Sequence, residues 1–141
     1  MYRTPRTCRT LRTQMGIRTE LNLRLPNSPG AAAGVFRVLA EERIGVVAMS
    51  LGAAGQFRLV VDNPVRAAGA LRAHHHHVTE REVLLIAVSS GSDAFASILG
   101  LVSDAGINVE YAYGGGGDAR APAVIVLGVD EAIRAAAAAG I

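Results

Sequence analysis

Two short stretches carry the residue types with most chemistry to offer. Asn27-Ser28-Pro29-Gly30-Ala31 follows the alternating apolar residues Leu21, Leu23 and Leu25 and precedes a helical pattern, and His74 to His77 set four imidazoles in a row. In the first stretch, Ser28 suits a helix N-cap and Pro29 the first helical position, where its missing N–H is no loss. A helix start offers unpaired N–H groups and a partial positive charge, so Ser28 to Ala31 suit a carboxylate, and Gly30 lets a ligand come close to the backbone. The same residues also make an ordinary helix start. In the second stretch, consecutive strand residues alternate faces, so only neighbours such as His74 and His76 share a side. With Glu80 and Glu82 as the only further ligands nearby, the four well-placed ligands of a structural zinc site are not assembled. The run reads as an exposed loop between helix and strand, His74 and His76 remain as metal candidates, and no cofactor is expected.

Catalytic constellations are missing. There is no Gly-x-Ser-x-Gly elbow and no His-Glu-x-x-His, and all four His residues sit together. The chain has no Lys, which excludes Walker-type phosphate loops. Gly114, Gly116 and Ala119 are spaced like a loose dinucleotide fingerprint, but Pro122 and a β-like run follow where a helix is required. Tyr111 and Tyr113 alternate correctly for base stacking yet occupy a single strand, short of a nucleic-acid surface. The expectation is a protein that is not an enzyme and binds no nucleic acid.

The elements that must position these residues repeat. A strand, a polar loop, an amphipathic helix and a second strand run from Leu21 to Leu51 and again from Leu84 to Tyr113, in register at an offset of 63 residues, so that Ile44-Gly45-Val46 falls on Ile107-Asn108-Val109. Val35, Phe36 and Leu39 mark the buried stripe of the first helix, with Gly45 as its stop, and Phe95, Ile98, Leu99, Val102 and Ala105 mark that of the second. Each copy continues through a hairpin, at Gly52 to Gly55 and at Gly114 to Gly117, into a returning strand. A further helix follows, capped by Asp62 or Asn63 in the first copy and by Asp130 in the second. Val78 to Val88 reads as one strand divided near Arg81 and Glu82, closing the first copy and opening the next.

The order is βαββαβ twice, with the last strand of the second copy missing. Two right-handed crossovers on an antiparallel sheet give an α+β protein of two ferredoxin-like domains in tandem, helices on one face. The domains are expected at 20–82 and 83–141. Domains this small are marginal alone, so they should pack on each other or on another chain.

Residues 1–19 stand apart. Arg-Thr recurs four times at spacing three, with four Arg and no acid before Met15, while the rest of the chain has ten Arg against twelve acids. The net charge of +2 is therefore a property of this tail. It admits a nucleic-acid-binding arm or a transit peptide, but with no helical face and no apolar stretch it reads as a disordered extension ahead of a start at Met15. No apolar run approaches the ~20 residues needed to cross a bilayer. A lone Cys8 forms no internal disulfide, which fits a reducing, cytoplasmic setting.

Taken together, Asn27-Ser28-Pro29-Gly30, Leu39-Ala40-Glu41 leading to Ile44-Gly45-Val46, Leu101 to Val109, Val60-Val61-Asp62-Asn63-Pro64, and Val129-Asp130 with Ile133 resemble a tandem ACT-domain protein. The likeness spans Leu21 to the C-terminus. The second copy departs from it, with Gly91-Ser92-Asp93 in place of Ser28-Pro29-Gly30, and so does the missing last strand, whose open sheet edge the Arg-Thr tail or a neighbouring chain would cover. The resemblance implies a regulatory protein that holds a small amino acid where two domains adjoin, between the first loop of one and the second strand of the other. It implies ligand contacts from Asn27, Ser28, Pro29, Gly30 and Ala31, from Val46 and Val47, and from Ser92, Asp93, Asn108 and Val109. The Asn108 amide, both donor and acceptor, suits a zwitterion, and it is also an ordinary turn residue. A homo-oligomer, a dimer or larger, is expected, with allosteric response to the ligand. The alternatives are an interaction module without ligand, or a metal-binding protein using His74 to His77.

Overall fold

The computed structural model describes residues 13–88, 92–116 and 123–138. The order of elements is β1 (Thr13–Arg24), α1 (Ala31–Glu41), β2 (Val46–Leu51), β3 (Gln56–Val61), α2 (Pro64–Ala73), β4 (Thr79–Val88), α3 (Ser92–Asp104), β5 (Val109–Gly116), β6 (Ala123–Val129) and α4 (Ala132–Ala138). The architecture is α+β with antiparallel pairing, as the alternation of patterns implies. The described residues fall into two compact units, one within 19–81 and one within 82–141 that also takes in Thr13–Arg18, and the chain passes between them inside β1 and inside β4.

In the 19–81 unit, β3 lies between β1 and β2 and β4 lies on the other side of β1, the ferredoxin-like order. β1 pairs with β3 so that Leu21 faces Leu59 and Leu23 faces Phe57. Because strand residues alternate, these four side chains share one face, and there they pack with Val35, Val38 and Leu39 of α1 and Ala67, Ala68 and Leu71 of α2 in a single core. Each large member contributes roughly 1.5–3 kcal/mol on full burial. Phe36 is only partly buried but meets Phe57 edge to face, ring centroids 5.6 Å apart. In α2, Val65 is exposed and Ala67 lies in the core. Asn63 caps this helix, its side-chain oxygen accepting from the Arg66 N–H at 3.2 Å, and Pro64 takes the first position.

Gly45 does not terminate α1. The left-handed residue is Arg43, with φ 56, and the N–H groups of Arg43 and Ile44 donate to the carbonyls of Ala40 and Leu39. This is the Schellman arrangement, with Ile44 packing back toward Leu39. The same bonds recur around Gly106, φ 76, where Gly106 and Ile107 donate to Ser103 and Val102, and around His75, φ 70, where His75 and His76 donate to Arg72 and Leu71. The offset of 63 residues thus aligns Arg43 with Gly106. Gly45 is small for another reason: its N–H donates to the Asp62 carboxylate at 3.0 Å, and a Cβ there would strike that oxygen.

In the other unit, β6 lies between β4 and β5. Ile98 and Val102 of α3, with Ala132, Ala135 and Ala136 of α4, pack on Leu84, Ile86, Leu127 and Val129. Leu99, expected in that buried stripe, is 38% exposed. A fourth strand is present after all: β1 begins at Thr13, well before Leu21, and its first half, Thr13–Arg18, belongs to this unit beside β4. Met15 and Ile17 carry the alternation of Leu21, Leu23 and Leu25 back through Thr19, but Ile17 is exposed and the Arg-Thr repeat runs into this stretch, so a reading that starts at Glu20 passes over it. The Arg-Thr tail up to Arg12 lies outside the described residues. Both second strands carry the same irregularity, a register shift between Val46 and Ala48 in β2 and between Val109 and Tyr111 in β5.

The left-handed positions give a direct check. Arg43→Gly is expected to stabilise the protein by about 1 kcal/mol in urea unfolding, and Gly106→Ala to destabilise it by a similar amount, since a Cβ is strained at positive φ.

Candidate functional site

The loop after β1 builds a cleft within the 19–81 unit. The N-cap of α1 is Gly30, φ 85 and ψ −5, and not Ser28; no side chain bonds to the exposed N–H groups of the first turn, and that turn holds no acidic residue. Ser28 and Pro29 instead belong to the preceding turn, in which the Ser28 N–H donates to Pro26 and the Ala31 N–H to the Ser28 carbonyl. Only glycine accepts the left-handed cap easily, so the helix start is left bare of capping side chains.

Opposite this helix start stands the β2–β3 turn. The cleft between them has a volume of about 230 Å³; Asn27, Ser28, Gly30 and Ala31 form one wall and Leu51, Gly52 and Gly55 the other. Backbone bonds fix the distance between the walls, because Leu25 donates to the Gly55 carbonyl at 2.8 Å and Gly55 to the Gly52 carbonyl at 3.0 Å. Arg24 adds a guanidinium bond to the Ala54 carbonyl at 3.1 Å. Gly55, φ 86, sits so close to the Leu25 backbone that a Cβ would collide with its carbonyl. Chemically the cleft presents helix N–H donors, the Asn27 and Ser28 side chains and a small apolar wall. A carboxylate is favoured at such a position by the unpaired donors and the helix dipole together.

Of the expected contacts, the structure brings Asn27, Ser28, Gly30 and Ala31 together and leaves Pro29 outside the lining. Val46 and Val47 lie on β2, exposed and away from this cleft; the wall comes from the far end of that strand. Asn108 and Val109 line a different, mostly apolar cavity of about 400 Å³ in the 82–141 unit. Ser92 opens α3, and the side chains of Ser92 and Asp93 lie outside the described residues. The residues missed from sequence are Leu51, Gly52 and Gly55. Their signal was available: a short hairpin returning antiparallel to β1 must bring its turn to the end of β1.

His74, His75 and His76 serve local structure. His74 is the C-cap of α2, its Nδ1 lying 3.0 Å from the Ala70 carbonyl, and His75 is the left-handed residue that ends the helix. Among the described residues no three His, Cys, Asp or Glu side chains gather as a metal site would need. Tyr111 and Tyr113 stack on each other with ring centroids 6.3 Å apart and planes 11° from parallel, and Tyr111 covers Gly128 so closely that a Cβ there would enter the ring. No helix among the described residues is long and apolar enough to cross a membrane.

No family model matches the chain, and no curated protein matches it by sequence. Solved structures do. A protein from Bacteroides thetaiotaomicron superposes with a TM-score of 0.75 at 25% identity, covering 88% of this chain and 87% of that one. The ligand-free regulatory subunit of aspartate kinase from Thermus thermophilus gives 0.64 at 22% identity, covering 90% and 93%. Aspartokinase III of E. coli, in complex with lysine and aspartate, gives 0.56 at 18% identity, covering 82% of this chain and 28% of that one. The fold is therefore that of regulatory domains of aspartate kinase, in agreement with the resemblance to tandem ACT-domain proteins.

The cleft's geometry depends on Gly55. Gly55→Ala is expected to lower stability in urea unfolding by about 1 kcal/mol or more, through both the strained φ and the collision with Leu25.

Proposed function

We propose that the chain is a non-catalytic regulatory protein that binds a small amino acid in the cleft between the α1 N-terminus and the Gly52–Gly55 turn. The observation that carries this reading is the bare helix start at Gly30 facing a cleft of about 230 Å³. The carboxylate of the ligand meets the N–H groups of Ala32 and Ala33, and the Asn27 and Ser28 side chains meet its ammonium group. The likeness to aspartate kinase regulatory subunits, and to an aspartokinase solved with lysine and aspartate, supports a regulatory role for such binding. Charge-assisted bonds of about 1.5–3 kcal/mol each, less the cost of immobilising the ligand, put the affinity in roughly the micromolar to millimolar range.

The regulatory output in this proposal is association. β2 ends the strand order and exposes Val46, Val47, Met49 and Leu51. An apolar edge of this kind is covered most simply by the same edge of a second copy, giving a homodimer or a larger assembly. Ligand bound beside Leu51 then shifts that association by the difference in its affinity for the two states.

Thermal-shift titration of the full chain against the twenty amino acids tests the reading. At least one small amino acid is expected to raise Tm, since a ligand at about 100 times its Kd adds roughly 2.7 kcal/mol of stability. Ala33→Asp places a carboxylate in the first turn, so it is expected to stabilise the unliganded protein by about 0.3–1 kcal/mol while abolishing the ligand-induced shift. A Tm unmoved by every amino acid, or a full shift with that small amino acid in Ala33→Asp, contradicts the proposal.

A further inference from the structure

The two units share a frame but fill it differently. Strand registers identify equivalent positions: Phe57 faces Leu23 and Leu51, as Ile125 faces Ile86 and Gly114. Met49 faces Leu59, as Ala112 faces Leu127. The 63-residue offset that matches the helix ends sets Leu99 where the first copy has Phe36. In the 19–81 unit, the Phe36 and Phe57 rings meet edge to face and close the space between helix and sheet. Leu99, Ile125 and Ala112 are each smaller than the residue they replace. Phe95 stands in the place of Ala32, yet it lines the space without filling it.

Because the helix ends and the strand bulges are the same in both copies, the lost side-chain volume appears as a void. A cavity of about 400 Å³ opens between α3 and the sheet, with Phe95, Leu99, Ala112 and Ile125 among its apolar walls and Ser103 and Asn108 as its polar ones. Leu99, 38% exposed, stands at the opening. A dry apolar cavity of about 150 Å³ already accommodates benzene, and small-molecule sites begin at roughly 300 Å³. The combination of an apolar body and two hydrogen-bonding groups fits an amphipathic ligand.

We propose, resting on the amino-acid reading for the class of ligand, that this cavity is a second binding site, selective for an amino acid with a branched aliphatic or aromatic side chain. The ligand's side chain takes the volume that Phe36 and Phe57 fill in the first copy. Its charged end lies at Ser103 and Asn108. The bare helix start of the 19–81 unit has no such apolar depth, so the two sites differ in what they select.

Titration of the full chain with L-leucine and L-phenylalanine, with glycine as control, followed by methyl NMR and thermal shift, tests this. Leucine or phenylalanine is expected to raise Tm and to move the methyl resonances of Ile86, Ile107 and Ile125, and glycine to leave those resonances in place. Leu99→Phe/Ile125→Phe restores the Phe36–Phe57 pair of the first copy; it is expected to raise the unliganded Tm and to weaken binding of both ligands at least tenfold. Should that variant not fold, Leu99→Phe, at a partly exposed position, carries the same expectation. Isoleucine methyls unmoved at millimolar leucine and phenylalanine, or undiminished affinity in a folded cavity-filled variant, overturns the second site. If those ligands instead move only the backbone amides of Ala31 to Ala33, the second site falls and the first stands. Ala33→Asp separates the two in the other direction, since it leaves the isoleucine response intact.

Discussion

The pairing of β1 with β3 is the constraint on which the 19–81 unit depends. Setting Leu21 against Leu59 and Leu23 against Phe57 puts every second side chain of both strands on the helix-bearing face. A slip of one residue would turn all of them to the other face. The same register carries the β3 turn to the end of β1, where Leu25 bonds to Gly55. The cleft is thus a consequence of core pairing: its two walls are the next residues along two strands that hydrophobic burial has already aligned.

What the two copies keep and what they change separates scaffold from specificity. Schellman ends at Arg43 and Gly106 and bulges at the start of β2 and β5 recur, so the backbone frame is common. The strained member of the first pair is Arg43, which holds a left-handed conformation that glycine holds more cheaply at the second. The loops before the two helices differ, with Ser28-Pro29-Gly30 set against Gly91-Ser92-Asp93, and so do the fillings beneath them. One kind of backbone thus carries a cleft in the first copy and a cavity of different chemistry in the second.

Much of this was legible in the sequence, and the limits follow from physics. Alternation at Leu21, Leu23 and Leu25 and the helical stripe at Val35 and Leu39 reported burial, and they identified strand and helix correctly. Met15 and Ile17 extend the alternation of Leu21, Leu23 and Leu25 into Thr13–Arg18, but the polar Thr19 between them and the adjoining Arg-Thr repeat mask that signal. Ser28 and Pro29 have the chemistry of a helix start, but Gly30 can adopt the left-handed cap and so moves the helix start two residues on. Leu99 follows the helical period yet is partly exposed, because periodicity reports direction and not what lies across from a residue; Ile125 and Ala112 opposite it are too small to cover it. The contribution of Leu51 to Gly55 to the cleft depends on strand register, a tertiary property.

The most direct test of amino-acid binding at the α1 N-terminus is a backbone amide NMR titration of the full chain with the amino acid that stabilises it most. The account predicts that the largest shifts fall on Ala31, Ala32 and Ala33 and on Gly52 to Gly55, the two walls of the cleft. Saturable binding that leaves those amides in place would contradict it.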